Sequence, residues 1–442
     1  MPNKLAFWAA IVTSLVLVWT RIEYSEWRGW SRMHVITSDA FGYYHYLPGT
    51  FIYGDIARER WIADVDSTYD VVGGDALYQL IDLENGNRVG KYFCGTALLE
   101  APFFLLGHAI AGMSGQPQDG FSAPYQWSVV VASLFYCILS LFLLRAVLLR
   151  FFSDAASAVA LLLIVLATNA IQYISVDNGQ THSFLFALYG LVLWATVKWH
   201  ERPRARWAAL IGVAIGLATV ARPTELIMLF IPLLWNTHTR EQAKAKWAMV
   251  RAHRTHLVWA LAAAFVAVLP QLLYWKVVTG SWVFDVGSKW DFLDPHWRVL
   301  LGWEKGWFIY TPITLLFIAG LFCMRGHPWR KSVLVFTLLN IWIVIAWHDW
   351  RYGGSYSARA LVQCYPVLAL PFAALLQRAF ASAWRWPVLV LCTYLLGVNL
   401  FQIKQYNNGV LRFDGMDRAS YRAIYLDPHP DPEEAMPAHV EH

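Results

Sequence analysis

Apolar runs separated by short, mostly basic or aromatic connections dominate the chain. They fall at about 5–20, 95–113, 126–149, 155–175, 182–199, 207–221, 224–236, 257–278, 308–324, 331–347, 360–377 and 386–403. A helix that crosses a bilayer needs roughly 17–25 apolar residues, so most runs qualify. The short pair 207–221 and 224–236 reads either as two spans or as a tilted or re-entrant hairpin, and its two ends fall on one side in both cases. The pattern predicts an all-α polytopic membrane protein over residues 1–404 and a tail over 405–442. The tail ends in "PHPDPEEAMPAHVEH", Pro-rich and acidic, and is expected to be disordered there. No internal repeat is visible, which lowers the prior for an inverted-repeat transporter.

Charge decides how 95–113 is read. If "GTALLEAPFFLLGHAIAGM" crossed the membrane, the later basic loops "RAVLLRFF", "KWHERPRARW", "REQAKAKWAMVRAHR", "RGHPWRK" and "QRAFASAWRW" would all face outward. Basic loops stay in the cytoplasm. Glu100 and Pro102 in mid-run also favour a helix lying flat at the interface. The expected topology is therefore about eleven spans by the length rule, with the N-terminus inside and the tail outside. A long first outer loop runs over about 21–125 and a second over about 279–308. Connections of that length are uncommon unless they carry function.

Composition agrees with the pattern: 57% of residues are hydrophobic, 15% are charged and the mean hydropathy is +0.40. The 24 Trp and 21 Tyr suit a protein with many lipid–water boundaries. The net charge of +5 is accounted for by the basic loops, with no need for nucleic acid. Five cysteines form no CxxC and no Cys/His cluster, so neither a disulfide framework nor a zinc site is expected. The first run lacks a small-residue cleavage site and reads as a retained span.

The polar residues that are not simple loop residues collect on the expected outer face. "TSDAFGYYHY" supplies Asp39, Tyr43 and Tyr44; Lys91 leads the interfacial run; Asp177 and His182 lie in "SVDNGQTH". Arg222 precedes Pro223, and Arg351 and Arg359 lie in "HDWRYGGSYSAR". Each has an ordinary reading. Asp39 could be a helix N-cap and Asp177 a turn residue. Lys91 could snorkel, His182 could be a packed or capping residue, and the arginines could anchor span ends or pair with Asp349. Their co-location is the stronger signal, because ionisable groups at membrane depth are costly and usually mark function. Nucleotide cradles of the GxxxxGK[ST] and GxGxxG types are absent, as are GxSxG and HExxH. An enzyme of this kind needs a donor other than a cytoplasmic nucleotide, and a lipid-linked donor fits.

At these residues the chain resembles the GT-C glycosyltransferases, polytopic enzymes that use polyprenyl-phosphate sugars, and most nearly the lipid A aminoarabinose transferases and protein O-mannosyltransferases. "SDAFGYY" matches the acidic residue with nearby tyrosine, and "FIYGD" the helix ending in Gly-Asp. "RVGKYFCGTALLEAPFF" matches the Lys-Pro-Pro segment before a surface helix, with its proline displaced to Pro102. Ala40 stands where mannosyltransferases carry Glu, which separates the chain from them.

The resemblance implies an inverting hexosyl or pentosyl transfer on the outer face of a bacterial inner membrane. The acceptor would be a glycan, glycolipid or protein of the cell envelope. It implies Asp39 as base, Asp177 as an acid that orders the site, and Lys91, Arg351 or Arg359 on the donor phosphate. Tyr43, Tyr44, His182 and Arg222 are further candidates. A divalent metal is permitted by the outer carboxylates but not required by them. The rival expectation is a transporter or flippase of lipid-linked saccharides, which would carry its ionisable groups near the bilayer midplane.

Overall fold

The computed structural model describes residues 4–24, 34–74 and 76–431 of the 442-residue chain. Helices dominate, as the apolar runs predict, and six of those described are long and apolar enough to cross a membrane. The principal ones are α1 (Lys4–Tyr24), α2 (Asp39–Tyr44), α3 (Gly95–Ser114), α4 (Ala123–Phe151), α5 (Asp154–Leu166) and α6 (Thr181–Glu201). They continue with α7 (Ala205–Ala221), α8 (Arg240–Ala252), α9 (Arg254–Thr279), α10 (Arg330–Ile345), α11 (Tyr365–Phe380) and α12 (Arg385–Asn407). One short antiparallel hairpin, β1 (Leu80–Asp82) with β2 (Arg88–Gly90), lies between α2 and α3 in the otherwise helical fold. Its turn carries Asn85-Gly86, and Gly86 takes the positive φ (+77°) that such a reversal needs.

Hydrogen bonds identify the two ends of the bundle. At one end Asp154 accepts from the amides of Leu5 and Ala6 at 2.9 Å each, an anion on the N-terminus of α1. At the other end Arg21, in the last turn of α1, donates to the Val176 carbonyl at 2.9 Å. Helices α7 and α9 run parallel in close contact: a Cβ on Gly212 would lie 2.0 Å from the Ala260 carbonyl oxygen, and one on Gly216 2.8 Å from that of Ala264. Small residues permit this approach of two apolar helices.

Helix α3, expected to lie at the membrane surface, is itself one of the six helices with the length and apolarity of a span. Its start is wedged against the end of α7, where a Cβ on Gly95 would sit 2.3 Å from the Ala221 nitrogen. Its second half lies beside the first turn of α4, with His108 Nδ1 2.5 Å from the Tyr125 hydroxyl. The neighbouring Gln126 accepts from the amides of Val35 and Ile36 at 2.9 and 3.0 Å, which ties the start of α4 to the first loop. That loop has an apolar core of its own, built from Phe41, Tyr44, Trp61, Val89 and Phe121 against Phe104 of α3 and Tyr274 of α9. Burying these aromatic side chains contributes roughly 1.5–3 kcal/mol apiece, enough to hold a rigid platform outside the helical bundle.

The first part of the tail folds back on α12. Gln402 donates to the Tyr421 hydroxyl at 2.6 Å, and Gln405 to the Ile424 carbonyl at 2.8 Å. The terminal stretch expected to be disordered lies outside the described residues after Asp431.

Candidate active site

Asp39 is the first residue of α2, and Ser38 takes the N-cap place without a side-chain cap bond. The carboxylate is therefore not spent on capping. Oδ1 accepts from the hydroxyls of Tyr92 at 2.5 Å and Tyr78 at 3.0 Å, and Oδ2 accepts from Arg359 Nη2 at 2.8 Å. Two ionised oxygens offer about four acceptor positions, so one remains for a ligand. Burial pushes this carboxyl upward, and the Arg359 charge with the Tyr92 and Tyr78 hydroxyls outweighs it, holding the group below the usual carboxylate range. Asp39 is therefore charged at neutral pH.

Two local features deliver these partners. A Cβ on Gly42 would lie 2.3 Å from Tyr92 Cδ2, so only glycine lets the Tyr92 ring lie against α2 and reach Asp39. Ser38 (φ 53°), Tyr352 (φ 54°) and Ser357 (φ 56°) adopt left-handed backbone conformations beside Asp39 and Arg359. Non-glycine residues rarely do so outside strained, often functional, segments.

Asp39 lines a cavity of about 1080 Å³ whose wall also includes Arg21, Tyr43, Asp177, His182, Arg222 and Arg359. The space is large enough for a sugar phosphate and part of an acceptor. Burial pushes the Tyr43 hydroxyl up to about 12, so it stays neutral. Asp177 accepts from Gln172 at 3.0 Å, and burial raises its carboxyl above the usual range. Beneath the wall, Gln363 donates to Glu225 at 3.0 Å, and its carbonyl oxygen lies 3.1 Å from His182 Nδ1. With Gln363 so oriented, Nδ1 donates to it, which turns Nε2 away from Gln363. Glu225 also receives the Tyr189 hydroxyl.

Arg222 differs from Arg359. Among the described residues it has no ion-pair partner, and its Nη1 is buried without a hydrogen bond. Arg359 is shared between Asp39 and Gln180, the latter at 3.1 Å from Nη1. Of the three guanidiniums in the wall, Arg359 is engaged by Asp39, Arg21 bonds the Val176 carbonyl, and Arg222 has bonding capacity left over at Nη1.

The structure brings together Asp39, Tyr43, Asp177, His182, Arg222 and Arg359. It leaves three other candidates outside the cavity wall. Lys91 is exposed, because side chains alternate along the extended segment and it is Tyr92 that faces Asp39. Arg351 pairs with Glu304 at 3.0 Å. Tyr44 turns away to donate to the Gly120 carbonyl at 2.6 Å. His45 and Asp55, from the same polar stretch, hold the first loop together: His45 pairs with buried Glu59 at 2.7 Å, and Asp55 accepts from the amides of Arg58 and Arg60. Arg21, Tyr78, Tyr92 and Asp70 reach the cavity without having been singled out in the sequence. Among the described residues, no three His, Cys, Asp or Glu side chains converge as a metal site would require, so no cation is assigned to the cavity.

No protein-family model matches the sequence, and no curated protein sequence matches it. Comparison of structures does find similar folds. The apo oligosaccharyltransferase of Archaeoglobus fulgidus superimposes with a TM-score of 0.50 at 12% identity, over 97% of this chain and 59% of that one. The archaeal oligosaccharyltransferase AglB from the same organism, in complex with an inhibitory peptide and a dolichol-phosphate, gives 0.50 and 12% over 99% and 61%. The chain therefore spans about three fifths of the length of those proteins. The present chain shares the fold of these archaeal oligosaccharyltransferases, the GT-C fold.

Proposed function

We propose that the protein is a membrane glycosyltransferase that moves a sugar from a polyprenyl-phosphate donor to an acceptor hydroxyl or amide outside the cytoplasm. The observation that carries this reading is Asp39: an ionised, largely buried carboxylate with one acceptor position unfilled, in a cavity that also holds a guanidinium with no contact ion pair among the described residues. The GT-C fold supports the class of reaction, and the dolichol-phosphate bound to AglB supports a lipid-phosphate donor.

In an inverting displacement the acceptor attacks the anomeric carbon as the sugar–phosphate bond breaks. The acceptor proton passes to Asp39 Oδ2, a step typically worth 10²–10⁴ in rate. The phosphate leaves with growing charge, which Arg222 meets; fixed cations at such a point are often the largest catalytic contribution. Arg359 and the two tyrosines orient Asp39. Their hydrogen bonds keep it ionised, which makes it a weak base toward a free alcohol but a sufficient one late in the displacement, when the attacking oxygen has become acidic. Asp177, with Gln172, supports the wall against Arg21 and Arg359. The N-terminus would be cytoplasmic and the cavity extracytoplasmic, in a bacterial inner membrane.

The test is direct. Purified protein in nanodiscs is given a panel of radiolabelled short-chain polyprenyl-phosphate hexoses and pentoses with a crude envelope acceptor fraction. Transfer of label with release of the lipid phosphate supports the reading; no transfer from any donor, with the donors shown to partition into the discs, refutes it.

A further inference from the structure

Helix α8 lies at the end of the bundle opposite the cavity. Thr239 caps it by accepting from the Gln242 amide at 3.2 Å. Its inward face is clamped by Lys246, which is buried and donates to the carbonyls of Pro232, Leu233 and Trp235, the last two at 2.7 and 2.9 Å. The Trp235 ring lies 4.1 Å from that of His200, near the far end of α6. Helix α6 has 21 residues and starts at the cavity. At 1.5 Å per residue it separates α8 from that cavity by about 30 Å.

The outward face of α8 has a different character. Arg240, Lys244, Trp247 and Arg251 are all exposed. Offsets of four, seven and eleven residues put these four side chains on one face of an α-helix. Among the described residues, none of the three cations has an ion-pair partner. Only His253 separates α8 from α9, of whose apolar stretch just 11% is buried within the protein. From Arg254 to the first apolar residue, Leu257, the rise is about 4.5 Å. Tryptophans mark the same level: Trp199 bonds His256 at 3.2 Å, and Trp235 packs against Trp329. Of these rings and Trp247, only Trp247 is exposed, as a ring among lipid headgroups must be.

We propose that α8 is a headgroup-binding helix, in which Arg240, Lys244 and Arg251 engage the phosphates of anionic phospholipids and Trp247 seats between the headgroups. Loop charge alone is enough to orient a membrane protein. It requires neither the alignment of cations on one face with a tryptophan among them nor a buried lysine clamping the other face. The proposal is independent of the chemistry in the cavity.

The test uses the full chain, delipidated in detergent and titrated with phosphatidylglycerol or phosphatidylcholine. Thermal unfolding and lipids retained in native mass spectrometry are read together. Wild type should be stabilised at lower concentrations of phosphatidylglycerol than of phosphatidylcholine, and about 0.5 M salt should abolish the difference. The triple variant Arg240→Gln/Lys244→Gln/Arg251→Gln should need about a hundredfold more phosphatidylglycerol with an unchanged phosphatidylcholine response, from a contribution of roughly fivefold per basic residue. Arg202→Gln/Arg204→Gln/Arg206→Gln removes equal charge from the neighbouring loop and should keep most of the preference. Three results would overturn the proposal: equal responses to the two lipids in wild type, an undiminished preference in the α8 variant, or an equal loss in the loop variant.

Discussion

Replacing Gly42 by alanine should disable the site without touching a polar group. The added Cβ would lie 2.3 and 2.6 Å from Tyr92 Cδ2 and Cε2, whereas carbon atoms rest at about 3.5–4.0 Å. The Tyr92 ring must retreat by about 1 Å or more, and its 2.5 Å bond to Asp39 then opens past hydrogen-bonding range. Losing a bond to a charged group costs about 1.5–3 kcal/mol, and the overpacking a further ~1–3. Alanine offsets about 1 kcal/mol of this through helix propensity. A net loss of about 2–4 kcal/mol in unfolding free energy is expected, with transfer falling at least tenfold as Asp39 loses its orientation. Tyr92→Phe removes only the hydroxyl and should lower transfer with little packing cost. The two substitutions act through one hydrogen bond, so their effects on transfer should be less than additive. Wild-type stability and transfer in Gly42→Ala, or strict additivity with Tyr92→Phe, would refute the reasoning.

The pH dependence follows from the sign of the Asp39 shift. A carboxyl held below its ordinary value, about 3.9, contributes stability above that value and loses it as pH falls through the lower folded value. Transfer should therefore show no acid limb from Asp39 between pH 5 and 8, while Tyr92→Phe should move the acid limb upward in a pH–rate profile. Arg222→Ala should weaken binding of a short-chain lipid phosphate by about 10–100-fold, the worth of a charge-assisted bond. Arg222→Lys should recover part of that, since lysine supplies the charge without the fork; calorimetric titration reads both. Lys91→Ala and Arg351→Ala, exposed or paired outside the cavity, should stay within about twofold of wild type in transfer.

Much of this was legible in the residues themselves. The apolar runs mark the helices, and the acid followed by tyrosines marks Asp39. The hairpin signal at Asn85-Gly86 was present too, inside the long first loop, where no strand was read. What the sequence could not disclose are contacts that only tertiary folding creates. Tyr78 and Tyr92 reach Asp39 from 39 and 53 positions away, and Arg359 from 320. Lys91 and Tyr92 are neighbours, and which one faces the cavity depends on the register in which the segment leaves β2. Arg351 and Arg359 look alike in "DWRYGGSYSAR"; the left-handed turns at Tyr352 and Ser357 send only the second into the cavity. The unbonded Nη1 of Arg222 is a negative observation, visible only once its neighbours among the described residues have positions.

The most direct test of the central claim is the Asp39→Asn variant, assayed for transfer from a short-chain polyprenyl-phosphate sugar at matched protein levels. Asparagine keeps the shape of the side chain and can still accept from one tyrosine, but it cannot take the acceptor proton. The account predicts a folded, membrane-inserted protein that binds the lipid phosphate as wild type does and transfers sugar at least a hundredfold more slowly. Transfer at the wild-type rate from a well-folded Asp39→Asn protein would contradict it, and would leave Asp39 as a structural anchor for Arg359.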